Sequence, residues 1–542
     1  MRSSAKQLLF ACSLLLAADV AAGATYYVDC AAGSDSAAGT SETAAWRTTA
    51  KVSATTFLPG DAVLIRRGTR CTGMLWPKGS GSPIAAIRLS SFGSGASPVI
   101  DGGGAQAAIK LFNQQGWEIE NLETTGGEPF GIYIGADAGE LKHFRVRNTV
   151  VSHVRGQVKA KLSGLVVVAA HEPATLEDVV IDGVVAHHTT QWAGVIVQGA
   201  TRTNRIRDVT VRNTIVHDVF GDGIVLFQVE NGLVEKSAAW LTGLQPVQTI
   251  GTPNGIWTWR CRDCTVQFTE GFFIDSPGVD GGVYDIDWGN DANIVQHNYG
   301  HDAQGYCVAV FGAQKQVTTS SVVRHNVCVN NGRSPKLARR QGDLYIYTWD
   351  GGSIDGVLIH DNTFYWNPPL DVPAFQIEEI TFTGSGLNRI FNNVIHSAVQ
   401  ALLPSHPGLQ MDGNVVRSYS GEQGQRRAQP QTGLWTLRLH PSANPDEARS
   451  QLVFVEAALA QYDETRLEGR VVASSKSAAS QWPVERARVV ADKPAPGRIL
   501  LALVSPSGRI AHQWPSFVPP AELGLALRRA LGAPRGSPAM VP

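Results

Sequence analysis

From about residue 115 to 416, short runs of alternating apolar and polar residues recur. Each is followed by Asn or Asp and then by more β-branched residues. Clear copies are FRVRNTVVSHV (144–154), VTVRNTIVHDV (209–219), VVRHNVCVNNG (322–332) and VLIHDNTFYWN (357–367). Anchored on Asn121, Asn148, Asp182, Asn213, Asn298, Asn326, Asn362, Asn393 and Asn414, the period averages about 29 residues, allowing two weaker copies between 213 and 298. Between these phrases runs a second strand, usually opened by glycine: GVIVQG at 194, GIVLFQ at 223, GIWTWR at 255, GGVYDIDWG at 281, GYCVAVFG at 305 and GDLYIYTWDG at 342. Two or three short strands per repeat with an amide at a fixed turn predict a parallel β-solenoid, in which each coil buries its inner face only by stacking on the next. The recurrent Asn then reads as a turn residue whose amide bonds that of the neighbouring coil.

From about 421 the texture changes. GEQGQRRAQPQTG is a polar linker, here bounded at 421–434, and residues 435–542 read as a small α/β domain. PDEARSQLVFVEAALAQYDE has helical periodicity, RILLALV and RIAHQW flank an SPSGR turn, and PAELGLALRRAL closes as a helix. This strand–turn–strand–helix ending resembles the C-terminal half of a thioredoxin-like domain. No cysteine lies beyond 328, which excludes thiol redox chemistry there.

Composition narrows the class. The 542 residues carry a net charge of −1, so no basic excess argues for nucleic acid, and no apolar run is long enough to span a membrane. The start, with Arg2 and Lys6 before an apolar Leu8–Ala17 and the small residues Ala22-Gly23-Ala24, reads as a signal peptide over 1–24. A secreted or periplasmic monomer is therefore expected. Six further cysteines, an even number, suggest disulfides. Cys261-x-x-Cys264 also admits zinc, but no second pair follows at a finger-like spacing.

The segment TYYVDCAAGSDSAAGTSETAAWRTTAKV…LPGDAVLIRRGT resembles the N-terminal cap of secreted right-handed parallel β-helix proteins of the pectate-lyase-like superfamily. DGGVYDIDWGNDANIVQHNYGHDAQGY is similar to one of their coils. The resemblance covers about 25–420 and implies an all-β, right-handed parallel β-helix acting on carbohydrate. It does not select among polysaccharide lyases, glycoside hydrolases, epimerases and binding proteins, and the complete signature of any one pectin-acting family is missing. On this fold Cys307 and Cys328, 21 residues apart, fall on adjacent rungs, and Cys30 and Cys71 staple the cap.

The acids in GGVYDIDWGN are the chemical anomaly. Side chains alternate along a strand, so Tyr284, Ile286 and Trp288 share one face, and Asp285 and Asp287 the other. A solenoid interior does not accept two unpaired carboxylates, so the acids point outward. By the same rule Trp257 and Trp259 in GIWTWR, and Tyr345, Tyr347 and Trp349 in GDLYIYTWDG, are exposed beside them as sugar platforms. Carboxylates at i and i+2, roughly 7 Å apart at Cβ, suit the acid/base or acid/nucleophile pair of a glycoside hydrolase. Asp280, Asp291, His301 and Arg260 are expected to support them, with His301 a proton relay and Arg260 the nearest base for a lyase. Glu378 and Glu379 form a reserve pair. The rival assignments are a calcium-dependent lyase, with Asp280, Asp285, Asp287 and Asp291 as ligands, and a non-catalytic carbohydrate-binding or adhesion protein. A long polysaccharide groove is expected in each case.

Overall fold

The computed structural model describes residues 23–247, 250–334, 341–367, 373–378, 381–382, 387–397, 403, 405–418, 432–440, 444–473, 484–491 and 499–535. Most of the proposed signal peptide and most of the proposed linker lie outside these ranges. Residues 25–418 form a right-handed parallel β-helix of three long sheets with 14, 13 and 10 strands, in which each strand pairs with its counterpart one coil away. Apolar side chains from all three sheets meet in one continuous core running from Val28 to Ile395. Among the described residues no helix is long and apolar enough to cross a membrane.

The coils are held together at their turns by amides. The Asn298 amide donates to Asn326 Oδ1 (3.0 Å), Asn326 to Asn362 (2.9 Å), Asn362 to Asn393 (2.9 Å) and Asn393 to Asn414 (2.9 Å). Each of these carboxamide oxygens also accepts a backbone N–H from the preceding coil. The recurrent Asn in fact occupies two different positions. Asn121, Asn148 and Asn213 sit in the left-handed region (φ 60°, 48° and 51°), a site held in later coils by His297, His325, Asp361 and Asn392, one residue before the stacked amides. Asparagine serves the first position by tolerating φ > 0 and the second by pairing buried backbone.

Two disulfides form as expected, Cys30–Cys71 in the cap and Cys307–Cys328 across 21 residues. Cys261 and Cys264 are free and point into the core, so the zinc alternative for this pair has no support: burial holds the Cys264 thiol well above its usual pKa.

The C-terminal unit is a five-stranded mixed sheet with helices Pro445–Gln461 and Pro520–Leu531. It ends strand–turn–strand–helix. It packs on the outer face of the second β-helix sheet, burying Val185, Ile215, Ala238, Trp240 and Phe272 against its own core. Along that covered face runs a stack of rings one rung apart: His187, His217, Trp240, Phe272 and His301, with centroid spacings of 5.1, 4.9, 5.4 and 5.0 Å.

Candidate active site

The third sheet carries the site. Ile256, Thr258, Tyr284, Ile286, Val308, Val310, Leu344 and Ile346 are all buried, and all but Thr258 belong to the apolar solenoid core. On the outer face, register aligns Val225, Trp257, Asp285, Ala309 and Tyr345 in one column across five rungs. The alternation that turns Asp285 outward is therefore kept in every neighbouring rung. Val283, ahead of the strand, turns into the core. Trp288 departs from the expected inner face. The strand ends at Ile286, Gly289 takes φ +77°, and the intervening turn swings the indole outward against Trp259 and Trp349.

Outward does not mean exposed. Asp285 and Asp287 are 2% and 5% accessible and line a cavity of about 400 Å³. Its other walls are Lys161 from the 156–163 loop, Thr252 and Asn254, Val279 and Asp280, Trp257, Trp288 and Phe311, Gln341, and the Tyr345–Tyr347–Trp349 strand end. This is a pocket rather than the expected long groove, and its volume lies at the lower end of ligand sites. The rings of Tyr347 and Trp349 stack at 4.9 Å, and Lys161 Nζ lies 5.6 Å from the Trp257 ring and 5.2 Å from that of Trp192.

Among the described residues the acids make no direct salt bridge. Asn254 Nδ2 (3.4 Å) and the Tyr306 hydroxyl (3.5 Å) approach Asp285 Oδ2 as long, weak donors, and Oδ1 has no hydrogen-bond partner. Burial, then the charges of Asp287 and Asp280, push the Asp285 carboxyl well above the usual range. Asp287 is also raised, chiefly by burial, but the Trp288 N–H (2.8 Å to Oδ1), Lys161 and Arg260 act in the opposite direction. Asp280 is raised by burial and opposed by the Thr252 hydroxyl and Lys161. Beneath them Asp222, fully buried, is pushed up to about 6 by burial. It accepts from the Trp192 indole and from Asn254 N. Among the leading influences on Asp285 the neighbouring charges are all carboxylates, whereas Lys161 is among those acting on Asp280 and Asp287.

The remaining expected residues divide. Trp257, Tyr345, Tyr347, Trp349 and Asp280 join the acid pair in the cavity wall. Trp259 and Arg260 stay outside it: the guanidinium lies 4.1 Å over the Trp259 ring and donates to Gln314 at 3.3 Å. Asp291 lies outside the cavity wall, in isolated bridges to Arg262 and Thr319, so the four-aspartate calcium set is not assembled. His301 is a correction. It lies in the second sheet, completely buried between Glu270 (3.1 Å) and Asp302 (2.8 Å), with Arg528 of the C-terminal helix bonded to Asp302. It anchors the C-terminal unit and cannot relay a proton to the pocket. Glu378 accepts from the Tyr345 hydroxyl (3.0 Å), while Glu379 lies outside the described residues.

Lys161, Thr252, Asn254, Tyr306 and Gln341 were not anticipated. One signal was available. A polar residue precedes the strand-opening glycine in successive coils, Asp222-Gly223 and Asn254-Gly255. These side chains each accept from the next coil: the Asn254 N–H donates to Asp222 (2.9 Å) and the Gly282 N–H to Asn254 Oδ1 (2.9 Å).

No family model matches the chain. It is 20% identical over 71% of its length to a lacto-N-biosidase of Bifidobacterium longum subsp. longum, and it spans about a third (33%) of the length of that curated relative. A solved GH136 lacto-N-biosidase from Eubacterium ramulus superposes with a TM-score of 0.54 at 20% identity, over 69% of this chain and 68% of that one. Pectate lyase Pel9A aligns at a TM-score of 0.38 and 13% identity, over 73% of this chain and 80% of that one. The superposition on the lacto-N-biosidase establishes the fold alone: a right-handed parallel β-helix.

Proposed function

We propose that this chain is a secreted glycoside hydrolase that takes the end of a glycan into the pocket and cleaves the glycosidic bond there. The observation that carries the reading is the convergence of Asp280, Asp285 and Asp287 in one aromatic-walled cavity, where burial raises the proton affinity of all three. A hydrolase needs one carboxyl that keeps its proton near neutrality and one that stays ionised. Asp285, buried and raised further by the charges of Asp287 and Asp280, is assigned as the proton holder. Asp287, supported by the Trp288 N–H and the charges of Lys161 and Arg260, is the anion that attacks the anomeric carbon or activates water. Asp280 adds negative charge beside the forming oxocarbenium. Trp257, Tyr347 and Trp349 give the flat apolar faces on which sugar C–H surfaces pack, and Lys161 closes the cavity over Trp257.

Hydrolysis is favoured over β-elimination because the likeness is to two lacto-N-biosidases and because Arg260, the base expected for a lyase, is committed to Trp259 and Gln314. A pocket of this size accepts a terminal mono- or disaccharide unit in place of a running chain. The two disulfides fit export to an oxidising compartment. The test is a panel of aryl glycosides and free oligosaccharides, scored for released reducing ends and for ultraviolet-absorbing unsaturated ends. Release of small reducing sugars, lost in Asp287→Asn, is expected. Unsaturated products would move the assignment to a lyase, and glycan binding without turnover would leave only a binding protein.

A further inference from the structure

We propose that the junction between the β-helix and its C-terminal unit is a transition-metal site, built by His187, His217 and Glu485 and suited to Zn²⁺. This site lies in the second sheet and is independent of the function proposed for the third.

The two histidines occupy the same register on adjacent rungs, and their rings are parallel within 6° at 5.1 Å. Each has its Nδ1 occupied. His217 Nδ1 is paired with Asp218 Oδ2 at 2.6 Å, and His187 Nδ1 with His188 Nδ1 at 2.7 Å. Both Nε2 atoms therefore face the same direction, and what they face is one carboxylate from the C-terminal unit. Glu485 Oε2 is 2.7 Å from His217 Nε2 and Glu485 Oε1 is 3.5 Å from His187 Nε2. All three ligand atoms lie within 4.8 Å of one another. Tetrahedral zinc with ligands at about 2.0–2.1 Å requires donors roughly 3.3 Å apart, so only small side-chain rotations separate this arrangement from coordination.

The supporting shell is what a metal site requires. A ligating imidazole normally gives its other nitrogen to a carboxylate or similar acceptor, which fixes its orientation, and Asp218 does this for His217. Glu485 is positioned in turn. The buried Glu456 on helix Pro445–Gln461 accepts the backbone N–H groups of Glu485, Arg486 and Ala487 at 3.2, 2.9 and 3.0 Å. Trp240 stacks under His217 at 4.9 Å and closes one side. Two histidines and a glutamate leave a fourth position for water. A second group, His188, His217 and Asp218, shares His217 but uses the Nδ1 side, where the short contact to Asp218 is already satisfied. The Nε2 side is the one that joins two parts of the chain, so metal there would tie residues 484–491 to the β-helix.

The test uses the full chain, stripped with chelator and titrated with Zn²⁺ alone by calorimetry, with Co²⁺ as a visible-absorption probe of tetrahedral nitrogen and oxygen ligation. One Zn²⁺ per chain and a raised melting temperature are expected. Glu485→Gln keeps the size of the side chain but removes its charge and one acceptor oxygen, and His187→Gln removes one imidazole. Each should weaken Zn²⁺ binding by about tenfold or more. His325→Ala, in the stacked His297–His325 pair elsewhere on the surface, should change it little. Glycan cleavage should be unaffected by Glu485→Gln. Absence of a saturable one-to-one site, or equal Zn²⁺ binding in wild type, Glu485→Gln and His187→Gln, overturns the proposal.

Discussion

Replacing Asp285 by Asn should abolish turnover yet stabilise the protein, and the stabilisation should depend on pH. Asp285 and Asp287 stand at i and i+2, roughly 7 Å apart, and both are nearly inaccessible. At an effective dielectric constant of about 20, two such charges repel by about 2 kcal/mol. Because burial and this repulsion raise the Asp285 pKa in the fold, the folded state binds its proton more tightly than the unfolded chain does. Wild type is therefore not penalised while the carboxyl is protonated, and loses stability as pH rises through the folded pKa. The carboxamide of the Asp285→Asn variant carries no charge at any pH and escapes that loss. The difference between variant and wild type should be near zero at about pH 4 and reach about 2 kcal/mol at about pH 8, a rise in melting temperature of about 2 °C for a unit of several hundred residues. Paired thermal scans at the two pH values, with a glycosidase assay on the same samples, measure it. A variant that is destabilised equally at both pH values would show that Asp285 is held by interactions other than those described, and the proton-holder assignment would fall with it.

Asp287→Asn should lower kcat by at least about a thousandfold and Asp280→Asn by at least about tenfold, with correct folding checked by circular dichroism. Lys161→Met removes the cation that favours ionised Asp280 and Asp287, so the acid limb of the kcat/KM profile should move to higher pH; an unmoved limb would rule Lys161 out as their electrostatic support. Asn362→Ala breaks the amide chain between Asn326 and Asn393 and leaves buried backbone groups unpaired, which should cost about 1–3 kcal/mol in denaturant unfolding without altering KM. Cys307→Ser opens a loop of 21 residues and should cost about 3 kcal/mol on the chain-entropy model, again by denaturant titration.

The face of the acids was legible because it depends on a local rule. Period-two alternation holds through the rungs of the third sheet, and a carboxylate cannot occupy the inner column, so Asp285 has one place to go. The residues that misled are those for which the rule stops. Trp288 and Asp291 lie past the last paired residue, Ile286, where a turn through Gly289 reassigns faces and then starts the next sheet. His301 obeys the alternation and does point outward, but its strand belongs to the second sheet, whose outer face is covered by a domain more than 130 residues further along the chain. Nothing within a repeat records which of three outer faces is left open. The recurrent Asn was read as one position because both of its positions favour the same residue type, one for its backbone and the other for its amide. The pocket was read as a groove because its wall comes from Lys161, more than 120 residues before the acids in sequence and four rungs away in the stack.

That contrast explains where chemistry can arise on such a scaffold. The inner columns of the third sheet are almost uniformly apolar, because each coil must bury its face against the next. The outer columns carry no such obligation. Their composition drifts from Val225 to Trp257 to Asp285 to Ala309 to Tyr345 with the backbone register unchanged. A small residue at 309 leaves room for the Tyr306 ring, which packs beside Tyr345 and reaches Asp285. The cost of Asp285 and Asp287 is then borne by electrostatic strain on the outer face, within a stack whose coils are tied together through amides, disulfide and core. If that separation holds, Asp285→Asn and Asn362→Ala should act independently, their effects on unfolding free energy adding to within about 0.5 kcal/mol in the double variant. A coupling larger than that would mean that the acid rung and the amide chain are one mechanical unit, and that the scaffold is not indifferent to what its outer face carries.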